Sequence, residues 1–277
     1  MINVCIFPVA GYGTRFLPIT KAIPKEMLPV LSKPLIQYSF VEAIESDIRN
    51  LTLIISDSKK PSFDLYFEAN NKLEDLLSAK RNNSLDELNM IIDSCKVNFV
   101  NQSEMLGLGH AILQSKEIVG ESEFAVILPD DLCFNKEKSV LSQMKRIHEI
   151  YPDKCIVAVE EIKSSDSHKY GIIEGEVLEG KIPNIFSVRK MIEKPSEKEA
   201  PSNLAIIGRY ILLPEIFDVL EQTNADKNGE IQITDALNIL ASRNKVLAYK
   251  FQGIRLDCGS VEGFVEANNF FFEMSKN

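Results

Sequence analysis

Arg15, Lys21 and Lys25 place three cations within eleven residues, directly behind the turn Gly11-Tyr-Gly13. Two residues without a Cβ let the backbone bend sharply and approach a ligand closely. Successive N–H groups curled in this way form an anion nest, and Thr14 follows at once. In a chain of formal net charge −9, such a local excess of positive charge suits a polyphosphate. Asp130 and Asp131 follow the apolar run Phe124 to Leu128. Ligands of open α/β sheets collect beyond the carboxyl ends of strands, so this acidic pair is placed for chemistry. Glu193 and Lys194 stand just before Pro195. Neighbouring strand side chains point to opposite faces, so both reach one ligand only if the strand ends there, which Pro195 favours. Each feature has a plainer reading when taken alone: a strand-to-loop turn, a turn carboxylate, a surface ion pair.

The elements that must carry these residues alternate. Val4 to Ala10 is an apolar run long enough for a buried strand. Lys33 to Asn50 has Ile36, Phe40, Ile44 and Ile48 at four-residue spacing, which predicts a helix, and Leu51 to Ile55 predicts the next strand. This β–loop–α–β opening is the start of a parallel sheet. Ser62 to about Asp93 is expected to be helical with a surface break at Arg81 to Ser84. A strand over Val97 to Val100 leads into Gln102 and a helix from Ala111. Helices are expected over Ser139 to Tyr151, Pro214 to Gln222, Ile231 to Ala241 and Val261 to Met274. Strands are expected over Phe124 to Leu128, Cys155 to Glu161, Leu204 to Leu212 and Val246 to Phe251. Between Ser164 and Lys194 the alternation weakens, which predicts an inserted, partly antiparallel section. The fold class is α/β: a Rossmann-like mixed, mainly parallel sheet flanked by helices, in one domain over residues 1–277.

Two Gly-loop chemistries are excluded. A Walker A loop needs Gly-Lys-Ser/Thr after four spacers, and the dinucleotide fingerprint needs a third glycine where this chain has Phe16. The acidic balance argues against a nucleic-acid or anionic membrane surface. No apolar run reaches transmembrane length, and the first one leads into the glycine loop without the pattern of a signal peptide. Cys5, Cys95, Cys133, Cys155 and Cys258 form no Cys-x-x-Cys pair and read as reduced thiols of a cytoplasmic protein. His110, His148 and His168 stand apart, so no histidine metal site is expected, and His110 is expected to pack.

The string Gly-x-Gly-Thr-Arg-x-x-Pro-x-Thr-Lys-x-x-Pro-Lys-Glu-x-x-Pro, beginning at Gly11, resembles the signature of the sugar-1-phosphate nucleotidyltransferases. The resemblance continues through Leu106-Gly-Leu-Gly-His-Ala, Leu128-Pro-Asp-Asp, Glu193-Lys-Pro and Asp257-Cys-Gly-Ser, and so spans the chain. The form of the first string is closest to the bacterial uridylyl-transferring branch, while thymidylyl-transferring members usually open with Gly-Gly and carry Gln at the position of Glu26. The resemblance implies UTP and glucose 1-phosphate as substrates, UDP-glucose and pyrophosphate as products, and Mg²⁺ as cofactor. A thymidylyltransferase or another sugar-1-phosphate nucleotidyltransferase is the alternative within the class, and a non-catalytic nucleotide-sensing relative the alternative outside it.

That reaction needs no general base, because the attacking phosphate oxygen is largely ionised near pH 7, its second pKa being about 6. Catalysis reduces to aligning two polyanions and offsetting their repulsion. Arg15, with a planar fork, and Lys25, a movable point charge, are expected on the triphosphate. Lys194 is expected on the sugar phosphate. By resemblance, Ala10 and Gly11 backbone groups, Gln102 and Gly107 recognise uracil, Gly13 and Thr14 line the nucleotide, and Glu26 lies near the base or ribose. An amide such as that of Gln102 both donates and accepts, as the imide edge of uracil requires. Asp131, Gly171 and Glu193 are expected on the sugar, which makes the section between Ser164 and Lys194 the sugar-binding one. Asp130 and Asp257 are the expected Mg²⁺ ligands, an ion that accepts few carboxylates beside phosphate oxygens. Phe270-Phe-Phe272 cannot share one helical face, which predicts a homo-oligomer, a dimer or tetramer, without nucleic-acid or membrane partners.

Overall fold

A computed structural model describes residues 2–180 and 182–276. Its strands are β1 (Val4–Pro8), β2 (Pro29–Val30), β3 (Lys33–Pro34), β4 (Asn50–Ile55), β5 (Lys96–Asn101), β6 (Phe124–Ile127), β7 (Asp131–Phe134), β8 (Cys155–Glu161), β9 (Gly171–Val177), β10 (Ile185–Glu193), β11 (Leu204–Leu212), β12 (Val246–Lys250) and β13 (Ile254–Asp257). Nine of them form one mixed sheet in the order β5-β4-β1-β6-β11-β8-β12-β10-β9. The half from β5 to β6 is parallel throughout. From β6 onward the pairings are antiparallel except for β8 with β12.

Alternation along each strand feeds two cores, as the period of two requires. Val4 and Ile6 of β1 face one side, and Cys5 and Phe7 face the other. The first side is covered by α5 (Gly107–Leu113), α8 (Glu215–Gln222) and α9 (Ile233–Ser242), through Ile112, Phe217 and Leu237. The second is covered by α1 (Leu35–Glu45) and α7 (Val140–Ile150), through Phe40, Ile44 and Met144. Every residue of β11 is buried, as expected of a central strand covered on both faces.

The helix predicted over Lys33 to Asn50 is shorter. Lys33–Pro34 form β3, with Pro34 extended as the cap, and after Ser46 the chain turns through Asp47 at φ 58°. Ile48 is still buried, but outside the helix. The stretch from Ser62 to Asp93 contains three helices, Lys60–Phe67, Asn71–Ala79 and Asp86–Ser94, and the exposed residues Arg81 to Ser84 join the last two. The helix expected from Ala111 begins at Gly107, and the one expected from Ile231 begins at Ile233. The partly antiparallel section is the edge of the main sheet: β9 pairs with β10, and β10 joins β12.

Four short strands were not predicted: β2 and β3, which pair with each other, and β7 and β13. β7 and β13 form an antiparallel ribbon in which Asp257 stands opposite Asp131. A third core of Val30, Leu132, Leu256, Cys258 and Ala267 lies beneath it. The closing helix α10 (Val261–Met274) packs on this core through Phe270 and Phe271, which contact Phe134, with Phe271 also against Tyr38. Phe272 remains half exposed.

Candidate active site

β1 and β6 lie side by side in parallel, with Val4 opposite Phe124 and Ile6 opposite Val126. Their carboxyl ends therefore release the glycine loop and Pro129–Asp131 at the same edge. β4 lies on the other side of β1, so this edge is where the strand order reverses, the place where such sheets bind ligands. The loop continues as three single 3₁₀ turns, Thr14–Phe16, Ile19–Lys21 and Lys25–Met27, which bring Lys25 back to the sheet. Gly13 has φ 65°, and a Cβ there would stand 3.2 Å from both the Lys25 Cβ and a Thr20 methyl. Thr20 Oγ1 donates to the Gly13 carbonyl at 2.8 Å and holds the turn.

Lys25 Nζ reaches Asp130 Oδ2 at 2.5 Å. Burial opposes the Lys25 charge, but Asp130 and Glu26 outweigh it and hold its pKa above the usual lysine value. Burial likewise opposes the Asp130 charge, and Lys25 outweighs it, so that carboxyl is held below its usual value. Both groups remain charged near neutrality. Arg15 Nη1 donates to the Gly259 carbonyl at 3.1 Å. A Cβ built on Gly259 would lie 3.0 Å from Asp257 Oδ1, 3.3 Å from Arg15 Nη1 and 3.4 Å from Asp130 Oδ2. Arg15, Asp130 and Asp257, chosen from the sequence for phosphate and cation chemistry, thus surround one point, and Lys25 joins them through Asp130.

Beside it opens a cleft of about 980 Å³, lined in part by Arg15, Asp130, Asp131, Gly171, Glu193, Lys194 and Asp257. β10 ends at Glu193, and Lys194 follows in a left-handed conformation with φ 44°. That turn lets two consecutive side chains line one cavity. Glu193 Oε2 accepts from Thr234 Oγ1 at 2.7 Å, and its Oε1 lies 3.2 Å from Lys194 Nζ. Gly171 faces this pair, since a Cβ on it would be 3.2 Å from both Glu193 Oε2 and Thr234 Oγ1. Lys194 is more than half exposed.

A smaller cavity of about 340 Å³ is lined by Ala10, Tyr12, Thr14, Lys21 and Lys59 among others. Glu26, Gln102 and Gly107 line neither cavity. Glu26 is buried and accepts from Lys59 Nζ at 2.9 Å, and Lys59 also donates to the Val9 carbonyl at 2.7 Å. Burial raises the pKa of Glu26 and lowers that of Lys59, each only partly offset by the other. Gln102 Nε2 donates to the Gly107 carbonyl at 3.3 Å and lies 3.1 Å from His110 Nδ1. Gly107 opens α5 at φ 91°, where a Cβ would come within 2.9 Å of the Glu230 Cβ.

Asp131, expected on a sugar hydroxyl, is turned to the protein. Its Oδ2 accepts from the Gly208 N–H at 2.9 Å, and its Oδ1 is held by Arg255 at 2.5 Å. Arg255 also reaches Glu160 at 2.7 Å, and Tyr170 donates to Asp257 Oδ2 at 2.9 Å. Arg255, Glu160, Tyr170, Thr234 and Lys59 are among the polar residues in and around the site that motif reading passed over. For Arg255 a signal existed: it precedes Asp257 by two, so on a strand the two share a face.

Residues 6–273 match the family model described as nucleotidyl transferase. The chain belongs to the nucleotidyl transferase family. A curated relative from Pseudomonas aeruginosa named UTP–glucose-1-phosphate uridylyltransferase is 50% identical over 276 residues, covering 99% of this chain and 97% of the relative. One from Staphylococcus epidermidis with the same name is 41% identical, covering 96% and 90%. A solved structure of UDP-glucose pyrophosphorylase complexed with UDP-glucose matches this transferase with a TM-score of 0.91 at 47% identity, covering 99% of this chain and all of that one. A glucose-1-phosphate thymidylyltransferase structure from Bacillus anthracis, described there as putative, is 19% identical with a TM-score of 0.76, covering 98% of this chain and 95% of that one, and shares the fold.

Proposed function

We propose that this transferase moves the uridylyl group of UTP to glucose 1-phosphate, giving UDP-glucose and pyrophosphate. The observation that carries the reading is the meeting of Arg15, Lys25, Asp130 and Asp257 at one point beside the Glu193–Lys194 cleft. The names of the 50% and 41% identical relatives supply the base and the sugar. In this reading an oxygen of glucose 1-phosphate attacks the α-phosphorus, and the bond to the β-phosphate breaks in line. Arg15 and Lys25 hold the triphosphate, and Lys194 pairs with the sugar phosphate so that the two anions meet at a fixed angle. Gly171 and Glu193 seat the hexose. Ala10, Gly11, Gly13 and Thr14 line the nucleotide, Gln102 and Gly107 take the uracil edge, and Glu26 stays beside the nucleotide as the partner of Lys59. Asp131 serves through Arg255 and Gly208 instead of contacting the sugar.

The donor set fits a magnesium ion. Asp130 and Asp257 offer hard carboxylate oxygens near a common point, and magnesium takes one or two carboxylates together with phosphate oxygens and water. Among the described residues no cluster of three or more His, Cys, Asp or Glu side chains could hold a metal, so the remaining ligands would come from substrate and solvent. When bound, the ion would neutralise phosphate charge and polarise the phosphorus under attack. The residues around the site act in their own right: Lys25 neutralises Asp130, and Arg15 is anchored on Gly259.

We place residues 1–277 in one catalytic domain and the enzyme in the cytoplasm. Among the described residues no helix is long and apolar enough to cross a membrane. We also propose a homo-oligomer, because Phe272, Val261 and Val265 of α10 remain exposed while Phe270 and Phe271 pack inward. The function is tested by a panel of nucleoside triphosphates and hexose 1-phosphates with pyrophosphate release as readout, with and without Mg²⁺. UTP with glucose 1-phosphate should give the fastest release, and only with the ion. A preference for dTTP, or for another sugar phosphate, would overturn the assignment.

A further inference from the structure

An ion pair is buried inside the second core, behind the turn that carries Asp130. Arg209 of β11 is 1% exposed and Glu42 of α1 is 6% exposed. Arg209 shares its face of the strand with Ile207 and Ile211, both members of that core. Its Nε meets Glu42 Oε1 at 3.2 Å and Oε2 at 3.0 Å, and Nη2 meets Oε2 at 2.8 Å. Glu42 Oε1 also accepts from the Leu141 N–H at 3.0 Å, in the first turn of α7. Stability alone does not call for such a pair, because apolar residues of similar volume often hold a core as well or better. The nitrogen that Glu42 leaves over has another task. Nη1 donates to the Gly208 carbonyl at 3.1 Å and to the Leu128 carbonyl at 3.3 Å.

The Leu128 carbonyl also accepts from the Asp131 N–H at 3.2 Å, which closes a turn with Pro129 and Asp130 at its centre. The Gly208 carbonyl accepts from the Leu128 N–H at 2.8 Å, and the Gly208 N–H donates to Asp131 Oδ2 at 2.9 Å. We propose that Arg209 is a positioning residue: with Glu42 it fixes the turn over 128–131 and so sets where the Asp130 carboxylate stands. The inference rests on the reading above that puts Asp130 at the reaction point. One nitrogen of the fork grips two carbonyls of this arrangement, and Glu42 holds the rest of the fork in place. Glu42 in turn belongs to α1 and is tied to α7, so the turn is braced against both helices of the second side. From that turn Asp130 meets Lys25. A lysine at 209 would carry one ammonium on a flexible stem. It could answer Glu42 but could not hold the Leu128 carbonyl with the same rigid fork.

The experiment replaces both charges at once. Arg209→Met with Glu42→Gln leaves no unpaired buried charge and keeps an acceptor for the Leu141 N–H. This double variant should retain a cooperative thermal transition, because removing both partners of a buried pair is often neutral. Its kcat for pyrophosphate release from UTP and glucose 1-phosphate should nevertheless fall at least about tenfold, since a misplacement of about 1 Å can cost about 10²-fold. KM for each substrate should stay nearly unchanged, the mark of an arrangement needed only in the transition state. A merely structural pair predicts native kcat in the folded double variant, and that result overturns the proposal, as does a loss confined to KM. Should the double variant lose its transition, Arg209→Lys takes its place, because it keeps a buried cation beside Glu42. It should show the same selective fall in kcat, and native kcat would overturn the proposal. Asp130→Asn reports separately on the underlying reading: native kcat in that variant would mean that Asp130 lies outside the reaction centre, whatever Arg209 does.

Discussion

Lys194 has a backbone φ of 44°, in the left-handed region that costs a residue with a side chain roughly 1–2 kcal/mol. Strain of this kind gathers where geometry serves a ligand, and here it turns a strand end into the cleft. Lys194→Ala should therefore weaken glucose 1-phosphate binding by about 1.5–3 kcal/mol, the range for a charge-assisted contact, and leave UTP binding nearly unchanged. Calorimetric titration of each substrate separates the two, and equal losses would move Lys194 to the nucleotide. Asp257→Asn keeps the shape but removes a charge from the point shared with Asp130. Turnover at ordinary Mg²⁺ should fall at least about 10²-fold, with part of it restored by excess Mn²⁺. Unaltered turnover and metal dependence would make Asp257 a structural residue.

At the level of elements, the motif residues were legible because runs of unlike chemistry, apolar and then polar or glycine-rich, end in them. Val4 to Ala10 and Phe124 to Leu128 announce buried strands, and their parallel pairing together with the turns of the glycine loop brings Lys25 to Asp130. The ribbon was not legible. Asp131-Leu-Cys-Phe134 and Ile254-Arg-Leu-Asp257 are four residues each, too short for a pattern, and their pairing spans nearly half of the chain. Arg255 was hidden with them, as were the bonds that Asp131 makes to Arg255 and the Gly208 N–H. Gly208 is the hinge of this arrangement. A Cβ there would be 2.6 Å from the Leu128 Cβ and 2.8 Å from Asp131 Oδ2. Gly208→Ala should displace the segment that carries both aspartates, costing about 1–3 kcal/mol as other overpacked sites do and lowering turnover as well. Denaturant unfolding with parallel assays tests this, and native stability with native turnover would show that the strand yields without disturbing the site.

On the scale of the whole molecule, acid sensitivity has a source far from the cleft. His148 on α7 is buried, and burial lowers its pKa despite the opposing pull of Glu123. The folded chain keeps the imidazole neutral where an unfolded one takes up a proton, so stability should decline as pH falls below the free histidine value of about 6.5. His148→Gln should flatten that slope in urea titrations across this window, and an identical slope would place the effect elsewhere. Assembly is a second property at this scale. Sedimentation at micromolar concentration should show a dimer or tetramer, and Phe272→Ser should shift it toward monomer. A native chain that sediments as a monomer would remove the apolar face of α10 from the argument.

Asp131 and Arg255 are 124 positions apart in the chain, and this distance sets a schedule for synthesis. A nascent chain can complete the parallel half of the sheet once β6 has left the ribosome, since those strands come from its first 127 residues. At that stage Asp130 and Asp131 stand at the sheet edge without the guanidinium or the second aspartate. Synthesis at about 5–20 residues per second then leaves several seconds before Ile254–Asp257 emerges. Nucleotide can meet the glycine loop during that interval, but turnover must wait for nearly the last helix. A ribosome-stalled chain ending before Ile254 should be folded in its first half and catalytically silent.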